Sequence, residues 1–309
     1  MNNLKNQQWC FDTLCVHAGE GVDTDTKAIR RPIHMANCYA FPTDITELLE
    51  TLSWEHLDKL QYTREHSPTP RHLEERLAVL EGGQDCIVTA SGMGAIAATF
   101  FTLLNAGDHI VASEVSYTGT QKLLGFHLPR FGVDVSLVDT TDLKAVSNAI
   151  RKDTKVVYVE TPGNPVIGIS DIEKISEMAH VVGATMIVDS TWSGLVNQHP
   201  FSLGADIVIH SATKFIDGQG RVLGGLIVSN QEHTEKMFGF LIIISVDLVV
   251  FFAYLSKLIT AIRNVYSDCP YDRRIKWQGA RHYSVLSFYL IILLGCGGFL
   301  LFIIYNFIK

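Results

Sequence analysis

Seven short runs of apolar, largely β-branched residues recur between residues 86 and 228, and segments with helical spacing fill most of the gaps. The runs are Cys86–Ala90, His109–Ser113, Val133–Val138, Lys155–Glu160, Thr185–Asp189, Asp206–His210 and Leu223–Val228. The helical segments are Arg71–Leu80, Gly94–Leu104, Thr120–Phe131, Asp142–Ile150 and Asp171–Val182, the last two with Thr141 and Ser170 as N-caps. Strands this continuously apolar are buried on both faces, and strands alternating with helices pair in parallel. The pattern therefore predicts an α/β domain: a mostly parallel seven-stranded sheet covered by helices.

That rhythm also sets the domain limits. Residues 1–65 read as an irregular arm, with Arg31-Pro32, Phe41-Pro42 and a short helical stretch near Thr43–Leu60. Residues 66–235 form the α/β domain. Residues 236–309 break the pattern and form a hydrophobic tail. The charge changes there too: residues 1–236 hold 18 basic and 29 acidic side chains, residues 237–309 hold 7 and 3. Phe238–Leu255 is largely apolar, and Val285–Ile308 runs 24 residues without a charge, long enough to span a bilayer. Arg263–Tyr283 between them carries five basic and two acidic residues. A single span at Val285–Ile308 would keep both the large domain and this basic segment in the cytoplasm.

Composition excludes several classes. A net charge of −7 gives no basic face for nucleic acid. The six cysteines form no CxxC pair, so no metal site is expected, and free thiols suit a reducing cytoplasm. The first residues hold no apolar run and carry no secretory signal. The expectation is a cytoplasmic protein, with anchoring through the tail as the alternative.

The chemistry-bearing residues sit at strand ends. Lys214 follows an apolar strand in His210-Ser-Ala-Thr-Lys214, with Gly218, Gly220, Gly224 and Gly225 close behind. Lysine is the side chain that forms a Schiff base with an aldehyde, and small neighbours leave it room. The turn Ala90-Ser91-Gly92-Met93-Gly94-Ala95 opens a helix and presents backbone amides and a hydroxyl, an arrangement that binds phosphate. Asp189 ends a very apolar strand, where a carboxylate needs a cation such as a protonated pyridine nitrogen. Tyr117 lies where its ring could stack on a planar group. Asn164, in Glu160-Thr-Pro-Gly-Asn-Pro165, could donate to a ring oxygen. Arg64, in Tyr62-Thr-Arg64, suits a phosphate. Each has a bland reading alone: a surface lysine, a packing turn, a capping Asp, a solvated Arg. Together they supply partners for an aldehyde, a ring nitrogen and a phosphate, which is the set pyridoxal 5′-phosphate requires. A competing reading takes Gly92-x-Gly94 and Glu114 as a dinucleotide fingerprint of an NAD-dependent oxidoreductase.

The segments Tyr62-Thr-Arg64, Leu77–Glu81, Ala90–Met93, Glu160–Pro165, Val188-Asp189 and His210–Lys214 resemble, in order and spacing, the Cys/Met-metabolism (trans-sulfuration) family of pyridoxal-phosphate enzymes, from about residue 12 to about 235. The resemblance implies a fold type I large domain. It implies γ-elimination or γ-replacement on methionine, cystathionine or an activated homoserine, so the partner is a small amino-acid substrate. Lys214 would carry the cofactor and shuttle protons, Asp189 would pair with the ring nitrogen, and Tyr117 would stack on the ring. Ser91, Gly92, Met93, Ser211 and Thr213 would hold the phosphate, with Thr191 and Asn164 completing the cofactor set. Tyr62 and Arg64 would reach a neighbouring subunit's phosphate in a homodimer or homotetramer. The chain departs from the family pattern in Ser190-Thr-Trp192, in Tyr117-Thr-Gly-Thr120, and after residue 236, where no family-like C-terminal domain is recognisable. An inactive or membrane-tethered relic is therefore the alternative function.

Overall fold

A computed structural model describes residues 9–241, apart from 20, 48–59, 61, 65 and 66. The apolar runs Phe238–Leu255, beyond Leu241, and Val285–Ile308 lie outside the described residues, as does most of the helical stretch expected at 43–60. Among the described residues no helix is long and apolar enough to cross a membrane.

All seven expected strands form: β1 Asp85–Thr89, β2 His109–Ser113, β3 Asp134–Val138, β4 Thr154–Glu160, β5 Thr185–Asp189, β6 Ile207–Ser211 and β7 Gly225–Ser229. They make one sheet in the order β1-β7-β6-β5-β4-β2-β3. The pairs β2–β3, β2–β4, β4–β5 and β5–β6 are parallel. β7 runs antiparallel to both β6 and β1, so β1 points the same way as β6.

Burial explains why these residues are strands. Along β4, Val156 and Tyr158 enter the core on one face, while Val157 and Val159 enter it on the other. Along β6, Ile207 and Ile209 alternate with Val208 in the same way. Each fully buried side chain of this kind contributes roughly 2 kcal/mol. Helix α1 (Phe11–His17) lies in the arm, and α2 (Pro68–Glu81) packs against β1 and β7 through Leu77 and Ala78. The helix α3 (Gly92–Leu103) covers one face, and Phe100 meets Tyr158 edge to face at 5.2 Å. Residues 231–241 are helical and add to that face: Met237 is buried there, and Phe240 stacks on Phe101.

Two local expectations are corrected. The helix read as Thr120–Phe131 is α4 (Thr118–Lys122), a π-helical turn Leu123–His127 and one turn Leu128–Arg130. Pro129 has no N–H for the Gly125 carbonyl and its ring crowds that group, so Leu128 bonds back to Leu123 instead. The N-caps of α5 (Leu143–Ala149) and α6 (Ile172–Val181) are Asp142 and Asp171, each one residue later than Thr141 and Ser170. Asp142 accepts the Lys144 N–H and Asp171 the Lys174 N–H, and a negative charge there complements the helix dipole. Thr141 turns back to Asp139, and Ser170 pairs with Thr140.

Candidate active site

β1, β2, β4, β5 and β6 all end on the same edge of the sheet. Asp189 is the last residue of β5, and the loops that follow the other strands carry Ser91, Tyr117, Asn164 and Lys214. The chain progresses from β4 to β5 and β6 in one direction and from β2 to β3 in the other. The gap between β2 and β4 is thus a topological switch point, where open α/β sheets bind ligands.

The first half of the site is assembled across β1, β7 and β6. Gly225 opens β7 and pairs with Thr89 on one side and Ser211 on the other. That alignment brings the Ser91–Met93 turn onto the Ser211–Thr213 turn. A Cβ placed on Gly92 would stand 2.6 Å from the Ser211 Cβ and 2.8 Å from its hydroxyl. A Cβ on Gly225 would collide with the Ser91 carbonyl. Only glycine permits this approach. Ser91 caps α3, its Oγ accepting the Gly94 N–H at 3.0 Å. The Ser211 and Thr213 hydroxyls lie 2.7 Å apart. Thr191 braces the pair, its Oγ1 accepting the Ser211 N–H at 2.7 Å.

The second half lies on β5, β4 and β2. Asp189 is only 5% exposed. Its carboxylate accepts the Tyr158 O–H at 3.0 Å and the Thr191 N–H at 3.0 Å. These are neutral donors, and among the described residues no cation pairs with the carboxylate. Tyr117 precedes α4, half exposed, with Gly119 and the Met93 sulfur beside it: a Cβ on Gly119 would stand 2.8 Å from the Tyr117 ring and 2.9 Å from the Met93 Sδ. Gly119 thus lies between the Tyr117 ring and the Met93 side chain. Asn164 is exposed, and its backbone N–H donates to Glu160. Lys214 lies three residues past β6, exposed, and its Nζ has no hydrogen bond or ion pair among the described residues.

Tyr62 and Arg64 lie in the arm that precedes α2. Tyr62 bridges to Cys38 in the arm, and the Arg64 guanidinium lies 4.9 Å over the Tyr62 ring.

One residue gained no role from sequence, although its segment was singled out. Glu160 ends β4 directly beside Asp189 in register. It is 7% exposed and accepts the Tyr117 N–H at 2.8 Å and the Asn164 N–H at 3.1 Å. Burial, and then the Asp189 charge, raise its pKa to about 7. The signal available in sequence was its position at a strand end within a proline-rich turn.

The dinucleotide reading does not survive the topology. β1 and β2 are separated by four strands, so β1, the Gly92-x-Gly94 turn and α3 form no βαβ unit with β2. Glu114 is exposed beyond β2, on the far side of the sheet from β1.

A family model described as Cys/Met metabolism PLP-dependent enzyme matches residues 12–256. The chain belongs to this family. An L-methionine gamma-lyase of Fusobacterium nucleatum is 46% identical over 177 residues, which is 57% of this chain and 45% of that protein. An O-succinylhomoserine sulfhydrylase of Pseudomonas aeruginosa is 38% identical, with 75% of this chain and 57% of that one covered. A crystal structure of cystathionine gamma-lyase from Lactobacillus plantarum, complexed with L-serine, superposes with a TM-score of 0.69 at 36% identity. It covers 76% of this chain and 59% of that one. The chain spans about half the length of the curated relatives it matches. The α/β sheet expected from the sequence pattern is thus the fold type I large domain that the family resemblance implied.

Proposed function

We propose that the chain binds pyridoxal 5′-phosphate and serves γ-elimination or γ-replacement on a sulfur amino acid or activated homoserine. The carrying observation is the flush contact of Gly92 with Ser211. It merges two amide- and hydroxyl-bearing turns into one anion cradle at the sheet edge that also carries Asp189 and Lys214. The residues fit the cofactor on this structure's own terms. The cradle exists only because a Cβ is absent, and among the described residues the buried Asp189 carboxylate has no cationic partner, the role a protonated ring nitrogen would fill.

The cofactor, when bound, supplies an electron sink. Ser91, the Gly92 and Met93 amides, Ser211 and Thr213 would hold its phosphate, with Thr191 fixing Ser211. Asp189 would keep a proton on the ring nitrogen. Tyr117 would cover one ring face, and Asn164 would meet the ring oxygen. Lys214, unpaired in the described structure, would bond the aldehyde carbon and then carry protons to and from the substrate.

Tyr62 and Arg64 would complete the phosphate site of a second copy, which makes the working unit at least a dimer. The order and spacing of Tyr62-Thr-Arg64 within the family pattern support that reading. A cytoplasmic site of action agrees with the free thiols Cys10, Cys15, Cys38 and Cys86.

The test is optical. Adding pyridoxal phosphate to the full chain should produce a visible absorption band that Lys214→Ala abolishes without altering the melting transition. A wild-type chain that shows no band after cofactor addition sinks the reading.

A further inference from the structure

Glu160 is held where it ties two loops together. Its Oε2 accepts the Tyr117 N–H and its Oε1 accepts the Asn164 N–H, at 2.8 and 3.1 Å. Tyr117 belongs to the connection after β2, and Asn164 to the connection after β4. The loops also touch: a Cβ on Gly163 would stand 3.1 Å from the Val115 carbonyl. Glu160 is anchored at its own backbone, where its N–H donates to the hydroxyl of Ser113, the last residue of β2, at 3.3 Å. One carboxylate therefore closes the switch point between β2 and β4.

Charge makes the arrangement informative. Glu160 and Asp189 occupy facing register positions on adjacent strands, both buried, and no cation pairs with either among the described residues. Two carboxylates so placed repel, and a neutral side chain would hold a loop amide at lower cost. Asp189 turns to Tyr158 and Thr191. Glu160 turns the other way, to the two amides. Above its pKa of about 7, where it is ionised, Glu160 offers two full acceptors to the two donors, whereas an amide side chain offers one.

We propose that Glu160 is the positioning residue that sets where the Tyr117 ring and the Asn164 side chain stand relative to the bound cofactor. The inference rests on the cofactor reading given above. Glu160 would touch neither cofactor nor substrate and would act only through the two backbones it holds.

Hydrogen–deuterium exchange of the full chain without cofactor tests the tie directly. In the wild type, peptides spanning residues 114–120 and 161–168 should be protected. In Glu160→Gln at least one should exchange roughly tenfold faster, because one acceptor is gone, while peptides from β2 and β4 stay unchanged. Cofactor titration then reads the consequence: affinity should fall about tenfold, and the visible circular dichroism of the bound cofactor should change amplitude. Should Glu160→Gln fail to fold, Glu160→Asp serves the same purpose, since a shorter carboxylate cannot reach both amides. Unchanged exchange in both peptides overturns the proposal. So do loosened loops with affinity and dichroism as in the wild type. If the wild-type chain binds no cofactor, the cofactor reading fails, and the exchange data alone decide whether Glu160 holds the loops.

Discussion

Gly92 lies flush against Ser211, so that the start of α3 and the end of β6 share a surface with no space for a methyl group. Residues 119 positions apart in the chain thereby form one cradle. Gly92→Ala should force the two turns apart, because the new Cβ would meet the Ser211 Cβ and Cα as well as its hydroxyl, and turning the hydroxyl away relieves only one of the three contacts. We expect pyridoxal-phosphate affinity to fall at least tenfold and stability to fall by about 1–3 kcal/mol. Titration of the visible band and urea unfolding measure both, and wild-type affinity in this variant would contradict the cradle.

Asp189→Asn tests the ring-nitrogen assignment. The asparagine keeps one acceptor oxygen for the Tyr158 hydroxyl or the Thr191 amide but brings no charge. The fold should persist, with cofactor affinity roughly tenfold weaker, equivalent to about 1.4 kcal/mol. The melting curve and the cofactor titration should therefore separate. A variant that binds cofactor as tightly as the wild type would remove Asp189 from the site.

Glu160 predicts a pH dependence of stability. Its folded-state pKa of about 7 lies above the ordinary carboxylate value because it is buried beside Asp189. Between those two values the folded chain holds a proton that the unfolded chain has lost. The contribution is therefore fully present below the unfolded pKa and disappears as pH rises through about 7. Unfolding free energies from urea titrations should fall from pH 5 to pH 7.5 by on the order of 2–3 kcal/mol more in the wild type than in Glu160→Gln. Identical slopes in the two proteins would show that the proton resides elsewhere.

His210 and Glu81 form a buried pair at 2.8 Å that links the end of α2 to β6, four residues before Lys214. Replacing Glu81 with leucine strands the His210 imidazole in the core. We expect a loss of about 1–3 kcal/mol, read from thermal or urea unfolding. The double variant Glu81→Leu, His210→Leu should recover part of that loss, and a double variant that is merely the sum of the singles would mean the two groups are uncoupled.

The strands were legible because burial on both faces leaves continuous apolar runs, as in Val156–Val159 and Ile207–Ile209. The strand-end residues were legible because parallel strands direct their C-terminal loops to one edge. What could not be read is pairing at a distance. Nothing local says that β1 joins β7 rather than β2, and that pairing decides between a phosphate cradle and a dinucleotide fold. The hold of Glu160 on Tyr117 spans 43 residues and has no local signature. The π-helical turn escaped because Pro129 still allows a helix to continue if one carbonyl is bypassed. The caps were misplaced by one residue because Thr141 and Asp142, like Ser170 and Asp171, are both good capping residues in adjacent positions.

The antiparallel seam of β7 between β1 and β6 has a further consequence for the order in which the molecule is made. The Ser91 half of the cradle exists early in synthesis, but it faces nothing until residue 229 has emerged and β7 has slotted into place. Contacts of such long sequence separation form late. Cofactor capture should thus mark completion of the sheet, and an unfinished chain with β7 still in the ribosome should remain blind to pyridoxal phosphate.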